Sequence, residues 1–266
     1  LSEKLVVFMT PPYQTIYRAA CNAIAGSLLI AVCTTAAAAK DSSEIGWTLK
    51  QWSLLQGDQE LIACKYGVKM TPARGGQTYL FAPPYTNVQV WNQSTGKCCS
   101  IKMTNYKSQI QSAKNFFDTQ LLSATPLRKV KEGSLHGLAT MELSETPEFA
   151  RRQVQRYEHK EGPSRIAKNV YYVVSNKFNL EPSIYRFVAA FYGFPYAEAM
   201  PLSFVYYDID HDRKTQLVTG KITPSKFSPQ QFIMPTGLKV VADEHKVAET
   251  AQYNEAIEMM LPGKSK

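Results

Sequence analysis

The chain has 266 residues, of which 44% are hydrophobic, 11% aromatic and 20% charged. That apolar content excludes a wholly disordered chain, and a mean hydropathy of −0.25 with a single long apolar run excludes a multi-span membrane protein. A formal charge of +8 and a pI of about 9.1 are compatible with nucleic acid, an anionic membrane surface or an acidic wall polymer.

The N-terminal segment is read first. Arg18 gives a positive flank, residues 19–39 carry no charge, and Leu28, Leu29, Ile30, Ala31 and Val32 form an apolar centre. Ala36 to Ala39 then offer the small side chains that a signal peptidase accepts. The pattern predicts an export signal over residues 1–39, cut after Ala39, with Met9 as the start of translation and 1–8 outside it. Two alternatives stand beside it. One is a retained single membrane anchor, because the uncharged run is long enough to span. The other is a lipoprotein signal ending at Cys33. Removing 1–39 leaves Cys64, Cys98 and Cys99, which in an exported protein predicts one disulfide and one leftover thiol.

Residues 40–266 read as one domain. Short alternating runs between turn residues predict strands at 47–55, 60–69, 77–82, 87–91 and 97–103. Ile62, Cys64 and Tyr66 recur at period two, and Cys99, Ile101 and Met103 share one face. Pro83-Pro84 predicts a bend or an edge, and residues 92–96 a turn. A helix is predicted over 106–122, with Tyr106, Ile110, Ala113, Phe117 and Leu121 as its apolar stripe. Strands resume at 127–131 and 138–143 around a turn at Glu132-Gly133-Ser134. Residues 144–168 read as a long charged loop with a helical piece at 147–157, and 169–175 as a strand. A helix over 182–192 starts on Pro182 and stops at Gly193. Segments 202–209 and 215–222 form a hairpin, 232–241 a last extended stretch and 247–261 a helix. Antiparallel strands with few helices and no βαβ rhythm give an α+β class.

No constellation points to catalysis. Asp208-Ile209-Asp210-His211-Asp212 starts like a calcium loop, but Arg213 and Thr219 stand where Gly and Glu are needed. His136, His159, His211 and His245 lack metal-ligand spacing, so no metal and no cofactor is expected. Neither Cys98 nor Cys99 has an identifiable base. The basic residues of 128–168, among them Arg128, Lys129, Lys131, Arg151 and Arg152, are mixed with acids. That mixture argues against nucleic acid and leaves contact with an anionic envelope surface or a solvated loop.

Three stretches carry a resemblance. They are residues 59–63 through 77–81 to 88–92, the segment 130–140 with its Gly133, Gly137, Leu138, Ala139 and Thr140, and the segment from 200–204 to 232–239 with Phe232, Pro235, Gly237 and Lys239. Together they resemble the LolA/LolB-like lipoprotein-carrier superfamily over roughly residues 45–243. That resemblance implies a curved antiparallel sheet, a half-barrel, with helices covering its concave side and an apolar cavity between. In true carriers the cavity accepts acyl chains, and the family has no shared catalytic residues. The charged loop at 144–168 and the adjacent cysteines depart from the pattern.

The expected cavity lining is Trp52, Ile62, Tyr66, Tyr79 and Phe81, with Val88, Val90, Ile101 and Met103. The alternative is that such side chains simply fill the core. If the Ile62 face and the Ile101 face both point inward, Cys64 pairs with Cys99 and Cys98 points outward. The expected function is an exported, periplasmic or extracellular, non-enzymatic protein that binds a lipid or acyl chain. The alternative is an envelope-associated structural or interaction module with a self-filled core and no ligand.

Overall fold

In the computed structural model, which describes residues 43–107, 120–159, 168–208 and 211–248, the alternating segments pair into one large open sheet of twelve strands. All of them belong to the unit Ser43–Lys266. The first six strands are β1 (Glu44–Ser53), β2 (Gly57–Cys64), β3 (Gly67–Pro72), β4 (Gln77–Phe81), β5 (Asn87–Asn92) and β6 (Lys97–Lys102). The others are β7 (Leu127–Leu135), β8 (Leu138–Glu145), β9 (Lys168–Ser175), β10 (Met200–Tyr207), β11 (Arg213–Phe227) and the short β12 (Lys239–Val240). Among the described residues the helices are α1 (Gln120–Ser123), α2 (Pro147–Glu158), α3 (Pro182–Tyr192) and α4 (Glu244–Ala248).

The strand order is β12-β6-β5-β4-β3-β2-β1-β11-β10-β9-β8-β7. It consists of two antiparallel meanders, β1–β6 and β7–β11, joined where β1 pairs with β11. Among the described residues, only the β12–β6 pairing is parallel. The sheet curves: the Nε2–H of His136, at the β7–β8 turn, donates to the Thr219 carbonyl of β11 at 2.9 Å, although β8, β9 and β10 lie between the two strands.

Three elements differ from the sequence expectation. The strand expected over 60–69 is two strands, folded back at Lys65-Tyr66, with Cys64 opposite Gly67. The turn expected at Glu132-Gly133-Ser134 lies instead at His136-Gly137, where φ is +50° and +81°. Positive φ at both central residues is what a tight two-residue hairpin requires, and Gly137 supplies it without steric cost. The stretch 232–241 is not one extended segment. It is the end of a 3-10 turn (Pro229–Phe232), a loop and β12. The helix expected over 106–122 lies mostly outside the described residues, as does the helix expected over 247–261.

Helix α3 is the clearest match between sequence and structure. Pro182 sits in its first turn and Gly193, at φ +68°, caps its end, where the Gly193 and Phe194 N–H groups donate back to the last turn. Ile184, Tyr185, Phe187, Val188, Ala189, Phe191 and Tyr192 are all buried. Fully burying a large apolar side chain is worth about 1.5–3 kcal/mol, so α3 is held by packing rather than by its own propensity.

The sheet is buried on both sides over much of β2 to β6. One cross-strand row runs Leu61, Met70, Tyr79, Val90 and Cys99, and the next runs Ala63, Val68, Phe81, Val88 and Ile101. Both rows belong to the main core with α3. On the opposite face Ile62, Cys64, Leu80, Trp91 and Cys98 form a smaller core with Phe227 and Phe232. Gly46 is required there, because a Cβ would overlap the Ala63 carbonyl and the Phe227 ring. At the other end of the sheet β7 is almost wholly exposed. Its lysines and a bulge at Val130 guard this edge, which no other strand pairs with among the described residues.

Candidate functional site

The nine side chains expected to line one cavity fall on two faces. Tyr79, Phe81, Val88 and Val90 are at most 1% exposed in the main core, and Ile101 and Met103 pack at its margin. Ile62 and Tyr66 belong to the opposite face, and so does Trp52, at the residue opposite Asp58. The cause is local. Alternation fixes which residues of a strand share a face, but the unforeseen turn at Lys65-Tyr66 and the double-sided burial of β2 hide which face looks towards α3.

The α3 side is filled by the protein's own rings. Phe187 stacks on Phe81 with centroids 5.0 Å apart, and Phe191 meets Tyr79 edge-on at 5.0 Å. Further along, Phe194 stacks on Phe204 at 4.3 Å. A polar chain ties α3 to the sheet beneath it. Gln59 Nε2 donates to the Tyr192 hydroxyl at 2.7 Å, which donates to Gln51 Oε1 at 2.7 Å. Gln51 Nε2 in turn donates to Thr219 Oγ1 at 2.9 Å and to the Pro201 carbonyl at 3.0 Å. Gln59 Oε1 and the Tyr172 hydroxyl are buried with no partner among the described residues. A signal for Gln51 and Gln59 was present: each sits in register with the core positions Leu49 and Leu61, two residues away.

Helix α4 is clamped to the same side. The Tyr79 hydroxyl donates to Glu244 Oε1 at 2.6 Å, Gln77 Nε2 to the Glu244 carbonyl at 3.1 Å, and the Thr95 hydroxyl to the Val247 carbonyl at 2.9 Å. Burial, reinforced by the Glu244 carboxylate, holds the Tyr79 phenol well above its ordinary pKa. It therefore stays a proton donor.

The expected Cys64–Cys99 disulfide is not made. Cys64, Cys98 and Cys99 are free and buried. Cys64 lies on β2 and Cys99 on β6, with three strands between and on opposite faces. Four strand spacings are about 19 Å, far beyond disulfide reach. Burial pushes the Cys64 thiol up, and burial together with Glu244 and Asp243 pushes Cys99 up to about 12. Neither is a ready nucleophile, since the thiolate is the reactive form.

Asp208, His211 and Asp212 lie between β10 and β11. Asp212 N–H donates to Asp208 Oδ1 at 2.9 Å, and Lys214 bridges Asp208 and Asp212 at 3.1 Å each. Ile209 and Asp210 lie outside the described residues. Lys129 and Lys131 stand on the β7 edge in ion pairs with Glu132 and Glu142, and Arg151 pairs with Glu148 on α2.

An open groove of about 460 Å³ lies on the face away from α3, across β11, β1, β2 and β3. Trp52, 36% exposed, stands in it between its cross-strand neighbours Val218 and Asp58. Lys50 and Glu60 face each other beside it, 3.8 Å apart, and Thr71 is next in the row. The floor is open because the β1–β11 register slips between Lys50 and Gln51 and leaves Gly220 as the extra residue. A Cβ on Gly220 would meet only the Lys50 carbonyl, at 3.8 Å. A second hollow, of about 400 Å³, lies between α2 and the β8–β9 strands. Its buried Glu145 accepts from the Val170 N–H at 2.6 Å.

No family model matches this chain, and no curated protein does. Among solved structures it is similar to an uncharacterised conserved protein from Thermus thermophilus, at 10% identity and a TM-score of 0.41, covering 76% of this chain and 92% of that one. It is also similar to MucB in its complex with MucA(peri), at 11% identity and a TM-score of 0.35, covering 76% of this chain and 57% of that one. Likenesses this distant assign neither an activity nor a partner.

Proposed function

We propose that this chain is an exported, non-enzymatic interaction module with a self-filled core, which acts through its outer surface. The observation that carries this reading is the closure of α3 over the sheet. Tyr79 and Phe81, the rings that an acyl chain would lie against in a LolA/LolB-like half-barrel, are in contact with Phe191 and Phe187 and at most 1% exposed. In this reading α3 covers the concave side of the half-barrel and takes the place of the cargo. The Gln59–Tyr192–Gln51 bonds favour the same view, because lifting α3 to admit a lipid breaks them and strands polar groups in an apolar site. Export rests on the pattern of residues 1–39. The non-enzymatic reading is supported by Cys64 and Cys99, whose thiols burial holds in the unreactive form.

The test is organic extraction of the purified protein followed by mass spectrometry, with titration of a dansylated fatty acid. The expected result is no stoichiometric acyl compound and no saturable fluorescence gain. A copurifying acyl chain, displaced by the dansyl probe, overturns the reading and restores the lipid carrier.

A further inference from the structure

We infer that the groove around Trp52 is a binding site for a neutral saccharide. The chemistry of the groove selects the ligand class. Its floor is apolar and presents one indole, with Val218 beside it and no side chain on Gly220. Its rim is polar and close to charge balance: Lys50 is paired with Glu60, and the Asp58 carboxylate stands at the residue opposite Trp52. A pyranose ring has the complementary build, with an apolar C–H face for the indole and a girdle of hydroxyls for the rim. Carboxylates accept from those hydroxyls and the ammonium donates to them.

Other ligand classes fit less well. An anion meets two carboxylates, of Asp58 and Glu60, against the single lysine of the lining. A quaternary ammonium is best held by several rings, and the groove lining contains one. An acyl chain makes no use of the polar rim. The backbone under the indole is held in place, since β1 is paired on both sides at Trp52, and a preformed backbone loses little entropy on binding. The inference does not depend on the filled core. The groove is on the opposite face, so uptake of a fatty acid leaves it standing, and failure to bind sugar leaves the interaction module standing.

The probes are soluble maltopentaose, cellopentaose, xylopentaose, mannopentaose and chitopentaose, titrated into the full chain while tryptophan emission is followed. Trp52 is the most exposed of the chain's three tryptophans, so contact with a sugar alters the emission. At least one pentasaccharide is expected to bind with a Kd in the micromolar to millimolar range. Trp52→Ala should weaken it about tenfold or more. Gly220→Leu should abolish binding by filling the floor, where an added Cβ meets only the Lys50 carbonyl, at 3.8 Å; the urea midpoint of each variant checks that the sheet stays folded. The inference is overturned if none of the five binds, if binding survives both substitutions, or if tetramethylammonium chloride competes the sugar away.

Discussion

Phe187 decides between a filled core and an open hollow. Its side chain is fully buried, stacked on Phe81 at 5.0 Å, with Tyr106 at 5.5 Å and Phe191 at 6.2 Å. Phe187→Ala removes a ring from a site walled by other rings on α3 and on the sheet. Such truncations cost about 3–5 kcal/mol, because the lost burial adds to a cavity that the surroundings only partly close. With a urea m-value of about 3 kcal/mol/M, the unfolding midpoint drops by about 1–1.7 M. The assay is equilibrium urea unfolding of the full chain by far-UV circular dichroism. A carrier with an empty lumen makes the opposite prediction: a ring lining that lumen already faces water or a void, and its removal costs little. A measured loss below about 1 kcal/mol therefore refutes the packed-core argument.

Four more outcomes follow from the same geometry. Tyr192→Phe removes a hydroxyl that both accepts from Gln59 and donates to Gln51; leaving those buried amides unpaired should cost about 1–3 kcal/mol in urea unfolding. Gly46→Ala should destabilise by about 1–3 kcal/mol through overpacking against Ala63 and Phe227, measured the same way. Stability should fall at alkaline pH. Cys99 rises from an ordinary 9.0 to about 12, and Tyr79, Tyr106 and Tyr192 also rise on burial. The folded state thus holds protons that the unfolded chain releases. The stabilisation is complete below pH 9 and is lost as the pH climbs towards 12; a urea midpoint that rises over this window contradicts the assignment. Finally, Cys64, Cys98 and Cys99 should resist a thiol reagent in the native protein and react fully in urea, and peptide mapping without reduction should find no Cys64–Cys99 link.

The sequence reveals strands more readily than it reveals sides. Alternation locates β4, β5 and β6, and Val and Tyr content locates β9, each to within a residue or two, while Pro182 and Gly193 bound α3. Asn92 marked its turn because its side chain accepts from the Ser94 N–H at 2.9 Å and so builds the turn itself. Lys65-Tyr66 has no such chemistry. The glycine here follows the turn, at Gly67, so the alternating pattern hides the hairpin and carries Tyr66 on as an extension of β2. Side assignment failed for a different reason. In β2 the burial runs Leu61, Ile62, Ala63 and Cys64 without a break, and a strand covered on both faces has no alternation left to interpret. Trp52 was legible as an exposed aromatic only after the sheet set it opposite Asp58 and Val218. The Gly220 bulge that opens the floor beneath it leaves no trace in hydropathy.

The seam between β1 and β11 bears on how the chain comes to be made. Thr48 and Ser225, bonded across it, are 177 residues apart. The six-stranded meander that begins at Glu44 therefore waits, with β1 unzipped along one side, until β11 has been delivered. Pairings so distant in sequence form slowly, and an unpaired strand invites the wrong neighbour. A chaperone that covers β1 until β11 arrives would raise the yield of folded protein.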